Sequence, residues 1–167
     1  IIRFCRENKI EYDFRDERKK LKEVSLLFNA QLLEHQQIVI DTIAKKDLGV
    51  IVAPPGSGKT IVGLKIVAEK KQPALIITHR KQIAVQWIER IETFLGIPKN
   101  EIVKIGQGKT KIGKQITVAM IQSLSKELEK PDAEKLLNAF GTIIIDECHH
   151  IPAETFRNTI TKLQTFY

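Results

Sequence analysis

The chain has 167 residues, 43% of them apolar, with a formal net charge of +7 and a pI near 9.4. That length and apolar share suit one domain with its own core, while the absence of any apolar run near the roughly 18 residues of a membrane span, and of a charged-then-apolar leader, leads us to expect a cytoplasmic protein with no membrane partner. Cys5 and Cys148 lie far apart without metal-ligand spacing, which fits reduced thiols, and the positive charge argues for an anionic partner only where a motif agrees.

Residues 1 to about 25 are rich in charge, densest at Arg15-Asp16-Glu17-Arg18-Lys19-Lys20, with Ile10, Tyr12 and Phe14 as the few apolar anchors. A solvated charged face is the simplest account of that run. Residues 1–28 therefore read as a linker or the edge of an upstream domain and 29–167 as the domain itself, and the first residue, which is not methionine, suggests a piece of a longer protein. From Leu32 to Lys46, the apolar residues Leu32, Leu33, Val39, Ile40 and Ile43 recur at helical spacing.

The stretch Val50 to Ala53 is apolar and β-branched and predicts a buried strand; Pro54, Pro55, Gly56, Ser57 and Gly58 break it, and a helical pattern resumes at Lys59. The spacing Ala53-x4-Gly58-Lys59-Thr60 fits a phosphate-binding loop, with Ala53 where a first glycine usually stands. A bare Gly/Pro turn is the competing account, but such a turn rarely ends in Gly-Lys-Thr after a strand. Gly56 and Gly58 permit backbone angles that turn successive N–H groups toward phosphate oxygens. The helix that follows points the positive end of its dipole at the same place, Lys59 would reach the β- and γ-phosphates, and the Thr60 hydroxyl would ligate magnesium.

Ile61, Leu64, Val67 and Ala68 form the stripe of that helix, and Pro73 precedes a strand at Ala74 to Thr78. The next helix, Lys81 to Leu95, carries Ala84, Trp87, Ile88, Ile91 and Leu95 on one face, so that Trp87 should pack against the sheet; Gly96 and Pro98 end it. A short strand near Glu101 to Ile105 leads into the basic, glycine-rich loop 106–114, whose composition suits a phosphate backbone and, at least as well, a solvated hairpin. A strand at Gln115 to Met120, a short helix at Ile121 to Leu128, a helix at Asp132 to Phe140, a buried strand at Thr142 to Ile145 and a helix from Ala153 to about Leu163 complete the order.

Strands alternating with helices predict an α/β fold, a mainly parallel sheet with helices on both faces. Ligands of such sheets collect at the carboxyl ends of the strands. The strand Thr142 to Ile145 delivers Asp146 and Glu147 to that edge, Asp146 as a magnesium ligand and Glu147 as the group that orients and deprotonates an attacking water. His149 and His150 with Cys148 make a poor metal set, because three adjacent residues do not all aim at one ion. Cys148 also lacks a catalytic base.

Ala53-Pro54-Pro55-Gly56-Ser57-Gly58-Lys59-Thr60 together with Asp146-Glu147-Cys148-His149 resembles the first two signature motifs of superfamily 2 helicases, in the Asp-Glu-x-His branch. The resemblance runs from roughly Leu32 to Phe156 and is greatest to the helicase subunits of type III restriction enzymes and the DNA-repair helicases similar to them. It implies a three-layer P-loop NTPase domain of the RecA-like kind, the first of two motor domains, with ATP and Mg2+ as cofactors. Pro55, Gly56, Ser57, Gly58, Lys59 and Thr60 would hold the nucleotide, Thr60 and Asp146 the metal, and Lys59, Asp146 and Glu147 would be catalytic.

Leu32-Leu33-Glu34-His35-Gln36 resembles the adenine-recognition motif, with His35 in place of the usual aromatic, and implies that Gln36 reads the adenine edge. Thr78-His79-Arg80 with Gln86-Trp87 resembles the motif that brings Arg80 to the nucleic-acid backbone. Thr117 to Leu124 resembles a strand-contacting motif, with Met120 where relatives often have threonine and Gln122 and Ser123 in place. DNA or RNA would then cross Arg80, Gly106, Lys109, Gln122 and Ser123, and His149 would couple the site to the second motor domain. A Ser/Thr-Ala-Thr-like turn and that second domain lie outside the sequence, so the piece would bind ATP far better than it hydrolyses it, an arginine finger in related enzymes being worth about 10³ to 10⁵ in rate. Two other readings compete with an ATP-driven helicase or translocase. One is a nucleotide-gated switch without unwinding; the other, weaker for want of an Asn-Lys-x-Asp element, is a P-loop kinase or GTPase.

Overall fold

Ala74-Leu75-Ile76-Ile77-Thr78 has no polar position to turn outward, and in the computed structural model it forms β1 (Ala74–Thr78), the strand buried on both faces. Residues 2–13, 20–106, 111–163, 165 and 167 are described. The other strands are β2 (Val103–Ile105), β3 (Ile116–Met120) and β4 (Thr142–Ile145), in spatial order β2-β3-β1-β4, all parallel. The helices are α1 (Ile2–Glu7), α2 (Glu34–Ile43), α3 (Lys59–Lys70), α4 (Lys81–Leu95), α5 (Ile121–Leu128), α6 (Glu134–Leu137) and α7 (Ala153–Ile160).

The two-residue period of a strand divides the core into two layers. Ala74, Ile76, Ile116 and Val118 join Leu64 and Val67 of α3 and Trp87, Ile88 and Ile91 of α4. Leu75, Ile77 and Ala119 join Leu124 and Leu128 of α5, with Phe156 and Ile160 of α7 against them. The result is the three-layer α/β arrangement expected from the alternation of elements.

Register decides where the chemistry can sit. Ile105 is level with Ala119, Ile77 with Ala119 and Ile77 with Ile145, so all four strands end at one rim. Gly106, Met120, Thr78 and Asp146 follow one another along it. The ladder continues one step past β4, where the Asp146 N–H donates to Ile77 O at 2.9 Å.

Several expectations need correction. Val50 to Ala53 is not a strand, and Val50 and Val52 are 79% and 94% exposed. A strand needs a neighbour. Here β1 is flanked by β3 and β4, and the outer edge of β4 is met by Tyr167, whose N–H donates to Gly141 O and whose O accepts from Ile143 N, both at 2.9 Å. The helix expected over Asp132 to Phe140 shrinks to α6, because Ala133 and Leu136 close turns onto Lys130 O and Ala133 O and the Asn138 amide donates to Glu134 O. The helix expected over Leu32 to Lys46 covers only Glu34–Ile43.

Residues 21–29 also lie against the domain. Leu21 N donates to Gln72 Oε1, Val24 N to Lys71 O, Asn29 N to Phe94 O and Gln115 Nε2 to Ser25 O, while Leu26 and Phe28 pack on the α3–α4 core. Arg15 to Lys19 and the Lys109 part of the 106–114 loop fall outside the described residues.

Candidate nucleotide-binding site

The loop before α3 has the backbone its sequence calls for. Gly56 and Gly58 adopt φ of +79° and +83°, and Gly58 caps the amino end of α3. The first N–H groups of that helix have no intrahelical acceptor and open toward the loop. Lys59 curls back over it, Nζ donating to Ala53 O at 3.1 Å and Pro54 O at 3.4 Å. Gln36 braces it from outside: its Nε2 donates to Ser57 O at 3.0 Å, its Oε1 accepts from Leu33 N at 3.0 Å, and the residue is buried. His35 Nε2 lies 3.3 Å from the same Ser57 carbonyl. The Ser57 hydroxyl is buried and has no hydrogen-bond partner among the described residues.

The acidic pair arrives from β4. Asp146 Oδ2 accepts a 2.7 Å hydrogen bond from Trp87 Nε1, and Trp87 is only 2% exposed. The indole reaches Asp146 across α3 at Gly63, where an added Cβ would lie 2.8 Å from the Trp87 ring. Glu147 takes φ of +50°, a left-handed conformation uncommon for its type, and divides its carboxylate between two partners. Its Oε1 lies 3.7 Å from Lys59 Nζ and its Oε2 3.4 Å from His149 Nε2. With both Lys59 and Glu147 about one-third exposed, this ion pair contributes at most about 1 kcal/mol, so it marks proximity rather than stability.

Lys59 of the loop and Glu147 at the strand end thus meet, with Asp146 next to Glu147 in the chain. Thr60, at the second position of α3, and Asp146 carry hard oxygen donors of the kind Mg2+ takes. Lys59 and the helix end supply positive charge for phosphate, and Glu147 is a carboxylate able to accept a proton from water. His79 packs beside this group, its ring centroid 4.9 Å from that of His150, which in turn lies 4.0 Å from His149. Burial, and secondarily the neighbouring His150, hold His79 below the usual imidazole pKa. Its Nδ1 is buried without a partner among the described residues.

Farther along the rim, Gly106 at the end of β2 has φ of +140°, and a Cβ there would lie 3.2 Å from Ser123 Oγ at the start of α5. Arg80 and Gln122 are exposed, each two residues beyond the paired positions Thr78 and Met120. Arg80, Gly106, Gln122 and Ser123 therefore follow the carboxyl ends of adjacent strands, and Lys109 lies outside the described residues.

Two features escaped the sequence reading. The indole donor on Asp146 had one visible signal, Gly63 in the middle of an otherwise good helix, where glycine costs about 1 kcal/mol against alanine and hints at a close approach. The contact of His79 with His150 joins residues 71 positions apart and had no local signal.

A family model described as type III restriction enzyme, res subunit, matches residues 29–167. The chain is 36% identical over 126 residues to the DNA 3'-5' translocase XPB2 of Sulfurisphaera tokodaii, an alignment covering 75% of this chain and 27% of that protein. It is 33% identical over 148 residues to a mimivirus protein (Acanthamoeba polyphaga mimivirus) provisionally named ATP-dependent RNA helicase L396, covering 85% of this chain and 27% of that one. The chain thus spans about a quarter of the length of these curated relatives. Among solved structures, the UvsW helicase of bacteriophage T4 superposes with a TM-score of 0.69 at 16% identity, covering 98% of this chain and 64% of that one, which supports the fold. With the family match spanning most of its length, the chain belongs to the type III restriction enzyme res-subunit family, as a first motor domain of the superfamily 2 helicase kind.

Proposed function

We propose that this chain is the ATP-binding half of a motor that couples ATP hydrolysis to movement along DNA or RNA. The observation that carries the reading is the 3.7 Å approach of Lys59 Nζ to Glu147 Oε1, which puts a phosphate-loop cation and a strand-end carboxylate in one place. Lys59 leaves the Ala53 and Pro54 carbonyls for the β- and γ-phosphates, the α3 N–H groups bind phosphate oxygens, and the Ser57 hydroxyl gains a partner. Thr60 and Asp146 hold Mg2+, with the Trp87 indole fixing one Asp146 oxygen; the ion, when bound, neutralises charge on the phosphates. Glu147 orients water and accepts its proton. Gln36, already against Ser57, reads the adenine edge after releasing the Ser57 carbonyl.

Polynucleotide crosses the rim at Arg80, Gly106, Lys109, Gln122 and Ser123 through backbone contacts that do not read sequence. A second motor domain in the longer protein completes the catalytic site, with His149 coupling the two. Names among the relatives include both DNA and RNA enzymes, so both polymers are tested. The longer protein's ATPase is measured with single- and double-stranded DNA and RNA. We expect stimulation by at least one polymer and its loss in Glu147→Gln with ATP binding kept. An ATPase indifferent to every polynucleotide would overturn the motor reading, and a Glu147→Gln protein with full function would support a nucleotide-gated switch instead.

A further inference from the structure

Glu147 and His149, which already have roles above, stand with His150, which has none, in one cluster. One ligand atom from each lies within 4.8 Å of the other two. The expectation that neighbouring residues here could not share an ion took Cys148 as the third ligand; the structure substitutes Glu147. The reason is local. Glu147, at φ of +50°, opens a 3-10 turn over Cys148–His150, closed by a 2.9 Å bond from His150 N to Glu147 O. That turn folds the chain back so that Glu147, His149 and His150 come within reach of one another.

We propose that Glu147, His149 and His150 form a binding site for a transition-metal ion of the Zn2+ or Co2+ class, separate in its donor set from the Mg2+ site. The spacing supports it: a tetrahedral ion with bonds of about 2.1 Å holds its ligand atoms about 3.4 Å apart, and Glu147 Oε2 and His149 Nε2 are already 3.4 Å apart. Two imidazoles and one carboxylate suit zinc or cobalt, whereas magnesium takes oxygen donors. His149 and His150 are exposed, so an ion can reach them, and three protein ligands leave a fourth position for water. His79, whose ring lies 4.9 Å from that of His150 at a tilt of 32°, limits the freedom of that ring.

The consequence for hydrolysis rests on the proposed function. An ion on Glu147 Oε2 takes the carboxylate that would accept a proton from water, and places positive charge near Lys59. Bound zinc would therefore slow turnover without displacing nucleotide.

The first test needs no nucleotide. Co2+ is titrated into the 167-residue chain and its visible d–d absorption recorded, with Zn2+ as competitor. We expect one ion bound per chain and displaced by zinc. His150→Ala and His150→Gln should each weaken binding at least about tenfold, since losing even an outer-shell partner costs about 10–100-fold, while Cys148→Ser should leave the titration unchanged. Absence of d–d bands, unchanged affinity in both His150 variants, or loss of binding in Cys148→Ser would overturn the site. The second test adds Zn2+ to the longer protein's ATPase: inhibition in the parent and at least tenfold resistance in His150→Gln are expected, and full activity at saturating zinc would overturn the inhibitory role. A parent with no ATPase even without zinc would count against the proposed function alone, the cobalt titration still deciding the site.

Discussion

Replacing Gly63 by alanine should destabilise this protein, although the same change in an ordinary helix interior stabilises it. Gly63 sits inside α3, where the swap is worth about 1 kcal/mol in propensity. Its new Cβ, however, would lie 2.8 Å from the Trp87 ring, and that ring is buried, stiff and tied to Asp146 at 2.7 Å. Overpacking costs about 1–3 kcal/mol, and losing a hydrogen bond to a charged group about 1.5–3 kcal/mol. Subtracting the propensity gain leaves a net loss on the order of 1.5–5 kcal/mol. Urea unfolding of the wild type, Gly63→Ala, Trp87→Phe and the double variant measures it. Phenylalanine is shorter, so the double variant should lose at least about 1 kcal/mol less than the sum of the single changes, the coupling expected of touching residues. A Gly63→Ala protein about 1 kcal/mol more stable than its parent, or four strictly additive values, would refute the packing argument.

Four further outcomes follow from the same geometry. Because Trp87 is the sole tryptophan and holds Asp146, adding Mg2+ and ATP should change its fluorescence; an unchanged spectrum at saturating nucleotide, measured by an independent binding assay, would count against a metal on Asp146. Gly58→Ala, at φ of +83° and with its Cβ running into the Gln36 amide, should add about 1–2 kcal/mol of left-handed strain, displace the loop from its bound shape and weaken nucleotide binding at least about tenfold. Lys59→Ala should abolish nucleotide binding, whereas Glu147→Gln should leave the affinity within about threefold and remove turnover, a contrast read by calorimetry and phosphate release. Val50→Thr and Val52→Thr should each change the stability of this chain by no more than about 0.5 kcal/mol, because both side chains are open to solvent; a loss above about 1 kcal/mol in thermal unfolding would mean the stretch is buried after all.

The sheet and its two helical layers were legible because each strand carries its own signal. Ile-rich runs such as Leu75-Ile76-Ile77 and Ile143-Ile144-Ile145 need burial wherever they go, and α4 repeats its apolar face over four turns. The convergence of Lys59 with Glu147 was expected from two strand ends sharing a rim, but only Glu147 arrives that way, after β4; Lys59 reaches it from a loop that follows no strand. Val50 to Ala53 misled for the complementary reason: an apolar run states a wish for neighbours and cannot say whether any are present. Gln36 was readable as a polar residue on a helix, but its double engagement with Leu33 and Ser57 depends on a loop 21 residues away. The same holds for the indole of Trp87, whose polar atom finds Asp146 only once α3 and α4 are packed.

The common rim formed by Ile105, Ala119, Ile77 and Ile145 has a practical corollary. Five-residue strands are about 16 Å long, so attachments at the amino-terminal edge, beside Ala74, Ile116 or Thr142, stand off from the reactive groups by that distance. Surface tethers, dyes or cross-linkers placed there should report on or immobilise the protein without touching the end where ligands meet it.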